Sequence, residues 1–304
     1  MGVGKIATKK RKKPGRLPKK GQGLAKRAMW PAILLCILSL VIAIIYLVPI
    51  PSEKKPYYRP PFEEPGLPGP KPRTGISEKP LIERPQRPQV AIIIDDMGYD
   101  PTLDRAFLNI EAPISFAFLP FAPYTRPLAL KAHKLKKDVL VHLPLEPSEK
   151  DMNPGPGVIL VSMDLSSMIE QLEKDIQAVP YAIGVNNHMG SLFTTDKKAM
   201  KIILAQIKRK GLFFVDSRTT KYTVAYDVAR SLGVPTAQRA VFLDHDPSPK
   251  AVTKELCRLK DLAKERGSAI AIGHPHESTL KVLYNMLPSI RREVTLVPVH
   301  LLVQ

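Results

Sequence analysis

From residue 89 to residue 304 the chain alternates short, continuously apolar runs with longer stretches in which apolar residues recur every three to four positions. The runs fall at 90–94, 114–119, 139–143, 182–185, 212–215, 240–243, 269–272 and 295–302. A strand that is apolar at consecutive positions is buried on both faces, as in a parallel sheet covered by helices. The helical periodicity is clearest at 165–178, 197–210, 250–266 and 278–287, where apolar positions line one face of each predicted helix. This alternation predicts an α/β fold of about seven or eight parallel strand–helix units, close to a (β/α) barrel. A doubly wound open sheet is the competing layout, because periodicity does not say whether the sheet closes.

The 88 residues before this domain have a different pattern. Residues 30–50 carry no charge, and Ser39 and Tyr46 are their only polar side chains, which is enough apolar helix to cross a bilayer. Eleven lysines and arginines and no acid lie in residues 1–29. The positive-inside rule therefore keeps that arm in the cytoplasm and exports the rest of the chain. A basic arm also suits nucleic acid, but this one holds no aromatic residue for stacking and abuts the apolar stretch, so no nucleic-acid partner is expected. A cleaved signal peptide is the alternative to an anchor, although the exit Val48-Pro49-Ile50-Pro51 offers no small-x-small site. Eleven prolines then punctuate residues 51–88. Such a segment favours extended polyproline geometry, and at roughly 3 Å per residue it spans up to about 100 Å. A spacer is expected there, with a proline-motif ligand as the alternative. The expected order is thus a basic arm (1–29), a transmembrane anchor (30–50), a linker (51–88) and the barrel (89–304). Cys36 lies inside the anchor and Cys257 is the only cysteine beyond it, so no disulfide forms within the exported part.

The chemistry-bearing residues cluster at the ends of the apolar runs. Asp95 and Asp96 close the first, His142 follows Val139-Leu140-Val141, and Asn186-Asn187-His188 follows Ile183-Gly184-Val185. Asp216 follows Phe213-Phe214-Val215, and His274 follows Ile270-Ala271-Ile272-Gly273. In a parallel barrel all of these share one mouth, where α/β enzymes assemble their sites. Paired carboxylates repel unless one takes a proton or a cation lies between them, whereas a lone Asp-Asp is more often a turn that caps a helix. Imidazoles with one carboxylate suit a zinc-like ion and leave a position for water. A second carboxylate free of the metal then serves as base. Other readings stand beside these: His142 as a core histidine, Asp216-Ser217-Arg218-Thr219 as a cap with a salt bridge, and Asp244-His245-Asp246 as a rival metal cluster or a polar loop. His276 is expected to begin a helix.

Five motifs in order carry a resemblance. They are Ile93-Ile94-Asp95-Asp96-Met97-Gly98, Leu143-Pro144-Leu145-Glu146-Pro147, Asn186-Asn187-His188-Met189-Gly190-Ser191, Phe214-Val215-Asp216-Ser217-Arg218-Thr219 and Ala271-Ile272-Gly273-His274-Pro275. Together they resemble the divergent polysaccharide deacetylase family, a branch of the carbohydrate esterases that uses an irregular (β/α) barrel and a divalent metal to hydrolyse N-acetyl groups of glycans. The resemblance implies that Asp95 is the catalytic base, Asp96 a metal ligand and His274 the general acid. Ordinary deacetylases carry two metal histidines four apart after the third strand, whereas this chain reads His142-Leu143-Pro144-Leu145-Glu146. The expected ligands are Asp96, His142 and His188. Glu146 is the alternative third ligand, and Asp216 and Arg218 are expected to brace the ligands or touch substrate.

These observations point to a membrane-anchored, zinc-dependent hydrolase acting on an N-acetylated cell-surface glycan from the exported side. The alternative is a non-catalytic glycan- or protein-binding scaffold that retains the deacetylase barrel. A metal-dependent phosphoesterase ranks below both, since Arg218 is the single cation at these strand ends.

Overall fold

The structure, a computed structural model, describes residues 87–304. The expected basic arm, the anchor at 30–50 and the linker up to residue 86 lie outside the described residues. Among the described residues no helix is long and apolar enough to cross a membrane.

The described chain contains strands β1 (Gln89–Met97), β2 (Ser115–Phe118), β3 (Val139–Leu145), β4 (Gly184–Met189), β5 (Phe213–Asp216), β6 (Thr236–Gln238), β7 (Val241–Phe242), β8 (Ser268–Gly273) and β9 (Thr295–Leu296). Its helices are α1 (Pro101–Leu108), α2 (Thr125–Lys134), α3 (Leu165–Ala178), α4 (Lys197–Arg209), α5 (Ala225–Leu232), α6 (Pro249–Arg266) and α7 (Glu277–Glu293). Local chemistry sets several of the starts. Asp100, Asp164, Asp196 and Ser248 each accept a backbone N–H of the first turn of the succeeding helix, which satisfies donors with no intrahelical partner. Helix α7 runs past the expected stop at Leu287 and through Pro288. Proline removes one helical hydrogen bond, while Leu287, Ile290 and Val294 stay buried on the face that already carries Val282 and Leu283.

All strand pairs are parallel, in the order β6-β5-β4-β3-β2-β1-β8-β7, with β9 added to β1. The nine strands exceed the seven or eight expected. The strand without an expected counterpart is β6, since Thr236-Ala237-Gln238 has no apolar run to mark it, and the expected strand at 295–302 is two residues of strand and then a 3-10 turn at Val299–Leu301. β6 and β7 stand at opposite ends of the sheet, yet only Arg239 and Ala240 separate them. The sheet must therefore curl until its edges meet. Arg239 N–H bonds Asp216 O at 3.0 Å and Ala240 N–H bonds Ile270 O at 2.8 Å, so consecutive residues reach strands on either side of the seam. No ladder joins β6 to β7, and the barrel is incomplete there.

Two apolar layers follow from strand alternation. Val90, Ile92 and Ile94 of β1 pack outward with the helices, whereas Ala91 and Ile93 pack inward with Leu140, Phe213, Val215, Phe242, Ile270 and Ile272. Val297 and Val299 fill the same interior from the C-terminal segment. Continuously apolar strands are thus buried on both faces.

Candidate metal and catalytic centre

The two-residue period that packs the interior also aims the site. With Ile93, Leu140, Phe242 and Ile272 facing inward, the residues two further along, Asp95, His142, Asp244 and His274, continue the inner face toward the carboxyl end of their strands. Val185 packs outward, so Asn186 and His188 of β4 point in. All six side chains are buried. Asp216 lies at the opposite parity, one residue after inward-facing Val215.

Asp96 breaks the alternation. Its φ is +55°, a left-handed value uncommon for a residue with a side chain, and the β1–β2 register shifts between Ile94 and Met97. Gly98 completes the turn at φ +123°, where a Cβ would lie 2.5 Å from Thr125 Oγ1 and 2.8 Å from Ala122 Cβ. Its N–H donates to Asp104 Oδ2 at 2.8 Å. Burial pushes the Asp104 carboxyl up to about 7, against that hydrogen bond and with the Asp100 and Asp96 charges adding to the rise. The result is that neighbouring Asp95 and Asp96 both reach the mouth but face different partners.

Asp96 Oδ1 lies 3.2 Å from His142 Nε2 and 3.1 Å from His188 Nδ1, and the two ring nitrogens are 3.1 Å apart. Ligand bonds of about 2.0–2.1 Å in a tetrahedral site place adjacent donor atoms about 3.3 Å apart, so this near-equilateral triangle of one oxygen and two nitrogens fits a zinc-like ion. Burial works to raise the Asp96 carboxyl. The charge of His188, the adjoining imidazole rings of His142 and His188 and the charge of His274 outweigh it and hold the group well below the usual carboxylate range.

Asp95 has another neighbour. Both of its oxygens accept from Asn186 Nδ2 at 2.9 Å, and Oδ2 is 3.6 Å from His142 Nδ1. Across the mouth, His274 Nδ1 pairs with Asp244 Oδ1 at 2.9 Å, while Asp244 Oδ2 accepts from His274 N at 2.7 Å and from Thr279 Oγ1 at 2.7 Å. Burial opposes ionisation of Asp244, but the charge of His274 and these hydrogen bonds hold its carboxyl below the ordinary value.

The structure keeps the remaining candidates out of the triangle. Glu146 lies one residue past β3, and its Oε2 accepts from Val161 N–H at 2.7 Å. Asp216 accepts from Arg218 N, Thr223 Oγ1 and Tyr226 N, so it organises the loop before α5, and burial raises its carboxyl despite those bonds and the Arg218 charge. The Arg218 guanidinium donates to Gln238 Oε1 at 2.8 Å. The Asp244-His245-Asp246 segment does not form a cluster: Asp246 accepts from Ser248 N at 2.9 Å, while Asp244 turns inward to His274. His276 sits at the N-cap of α7, and with Asp244 and His274 it forms a second group of ligand-type atoms, in which both Asp244 oxygens already have donors. Two roles in the centre go beyond the sequence reading: Asn186 contacts both Asp95 and His142, and Asp244, read from sequence as part of a rival metal cluster or a polar loop, pairs with His274. Both had a usable signal, since each lies at the inward parity of its strand.

The sequence profile of the divergent polysaccharide deacetylases matches residues 92–303. The uncharacterized protein YibQ of Escherichia coli (strain K12) is 39% identical over 210 residues, which cover 69% of this chain and 65% of that protein. The chain thus matches just under two thirds of that relative's length. An uncharacterized protein of Haemophilus influenzae is 34% identical over 209 residues, 69% of this chain and 74% of its own. Among solved structures, the uncharacterized protein ATU2773 of Agrobacterium tumefaciens C58 superposes with a TM-score of 0.69 at 20% identity, covering 73% of this chain and 92% of that one, a likeness of fold.

Proposed function

We propose that this chain, which belongs to the divergent polysaccharide deacetylase family, is a metal-dependent hydrolase that removes N-acetyl groups from a cell-surface glycan. The observation that carries the reading is the triangle of partly exposed Asp96 with buried His142 and His188 at the same mouth as a separate carboxylate, Asp95, and a carboxylate-steered imidazole, His274. Asp96, His142 and His188 would hold a divalent ion, zinc by the donor set, which when bound supplies a Lewis acid for the acetamide carbonyl and lowers the pKa of a water.

The chain's own residues supply the proton transfers. Asp95, kept apart from the triangle by its bonds to Asn186, takes the proton of the attacking water. His274, fixed by Asp244 through Nδ1, presents Nε2 and delivers a proton to the nitrogen of the leaving amino sugar. Division of labour requires that the base and the ligand be different carboxylates, and the left-handed turn at Asp96 separates them. The uncharged apolar stretch at 30–50 and the basic arm before it are what supports an exported location, and the proline-rich stretch at 51–88 would give reach toward the glycan.

Acetate release from N-acetylated glycan by the full-length protein is the test. Release that is abolished by a chelator and restored by zinc is expected. No release from N-acetylated glycans under any metal condition overturns the hydrolase reading.

A further inference from the structure

Asn186 has no solvent exposure, and its amide joins two groups that the proposed reaction keeps separate. Nδ2 lies 2.9 Å from each oxygen of Asp95 and 3.2 Å from Ser217 Oγ. Turned about, the amide would set its oxygen against a carboxylate, so the network admits one orientation. Oδ1 then faces His142 Nδ1 at 3.0 Å. A carbonyl oxygen accepts and cannot donate, so that contact requires the proton of His142 to reside on Nδ1. In neutral imidazole this leaves a bare lone pair at Nε2, the atom 3.2 Å from Asp96 Oδ1 and 3.1 Å from His188 Nδ1.

We infer that Asn186 is a positioning residue that ties Asp95 to His142, fixing the tautomer that turns His142 Nε2 toward a cation and at the same time aiming the Asp95 carboxylate. The roles of Asp95 and His142 rest on the hydrolase reading above, whereas the tautomer follows from the hydrogen bonds alone. Metal-binding histidines commonly give their second N–H to a carboxylate or backbone carbonyl. Here the acceptor is a neutral amide, and its other end donates to Asp95, which neither a carboxylate nor a carbonyl can do. The end of β4 is held in place to match: Asn187 Oδ1 accepts from Ser217 N at 2.9 Å and Asn187 Nδ2 donates to Met189 O at 2.8 Å, which stiffens the left-handed Met189 (φ +49°).

Two near-isosteric substitutions in the full-length protein separate the two ends of the amide. Asn186→Asp keeps an acceptor for His142 but replaces the amide donor by a second carboxyl that must share a proton with Asp95 and so takes Asp95 out of its role as base; Asn186→Leu loses both contacts. The readings are the ¹⁵N NMR tautomer pattern of His142 without metal, zinc affinity and acetate release. The parent and Asn186→Asp are expected to show Nδ1 protonated, with zinc affinity alike within about tenfold and hydrolysis lost in Asn186→Asp. Asn186→Leu is expected to lose the fixed tautomer and about 10- to 100-fold in zinc affinity, the range for groups that orient metal ligands. An Asn186→Leu protein with the parental tautomer and zinc affinity overturns the inference. Should the Asn186→Leu protein not fold, Asn186→Ala carries the same readings. If the parent releases no acetate or binds no zinc, the hydrolase reading fails while the tautomer comparison still decides the role of Asn186.

Discussion

Asp244 holds His274 through both of its oxygens, one 2.9 Å from the ring Nδ1 and the other 2.7 Å from the backbone N–H. The ring's rotation and its proton are fixed together, so Nε2 is the nitrogen offered to the mouth. Asp244→Asn is isosteric but presents an amide that can donate where the carboxylate accepts. We expect kcat for acetate release to fall by about 10²-fold or more, within the range that general acid–base groups contribute, with zinc content unchanged. Steady-state kinetics beside metal analysis of the variant checks this, and an unchanged kcat removes His274 from the acid role.

The turn after Asp96 has no room for a side chain. In Gly98→Ala a Cβ would press on Thr125 Oγ1 and Ala122 Cβ while the backbone stays at φ +123°. Strain and overpacking of this kind cost about 1–3 kcal/mol each. Denaturant unfolding is expected to show a loss of that order. Zinc affinity is expected to fall with it, because the same turn aims Asp96.

Asp175 gives the domain a pH dependence. It is buried on α3, and burial pushes its carboxyl up to about 8, against a hydrogen bond from Gln171 at 2.8 Å and the Lys174 charge. The folded state therefore keeps this proton after the unfolded chain, near pKa 3.9, has released it. Its contribution is fully present below about pH 4 and is lost as pH rises toward 8, at about 1.4 kcal/mol per unit. Asp175→Asn removes that slope. Unfolding free energies at pH 5 and pH 7 are expected to differ less in the variant than in the parent by about 2–3 kcal/mol, and equal differences would contradict the burial argument.

Much of this was legible in the sequence, and the exceptions have physical causes. Runs such as 90–94 and 269–272 announce doubly buried strands, and their polar ends announce Asp95, Asp96 and His274 at one mouth. β6 was not visible, because Thr236 and Gln238 interrupt any apolar run and only pairing with β5 makes the segment a strand. Asp244 looked like part of a local cluster with His245 and Asp246, since its partner His274 lies 30 residues away. Glu146 competes with His188 for the third ligand position on sequence alone; in the structure the Asp96, His142 and His188 ligand atoms cluster, while the Glu146 carboxylate accepts from Val161 N–H in the loop after β3. The left-handed turn at Asp96 also had no sequence signal, although it is what gives adjacent carboxylates different neighbours.

The most direct measurement is zinc binding by the full-length protein and three variants, by equilibrium titration with metal analysis. One ion per chain is expected in the parent, retained in Asp95→Asn and Glu146→Gln and lost in His188→Ala. Zinc retained by His188→Ala but lost by Glu146→Gln, or no zinc bound by the parent, would contradict that expectation.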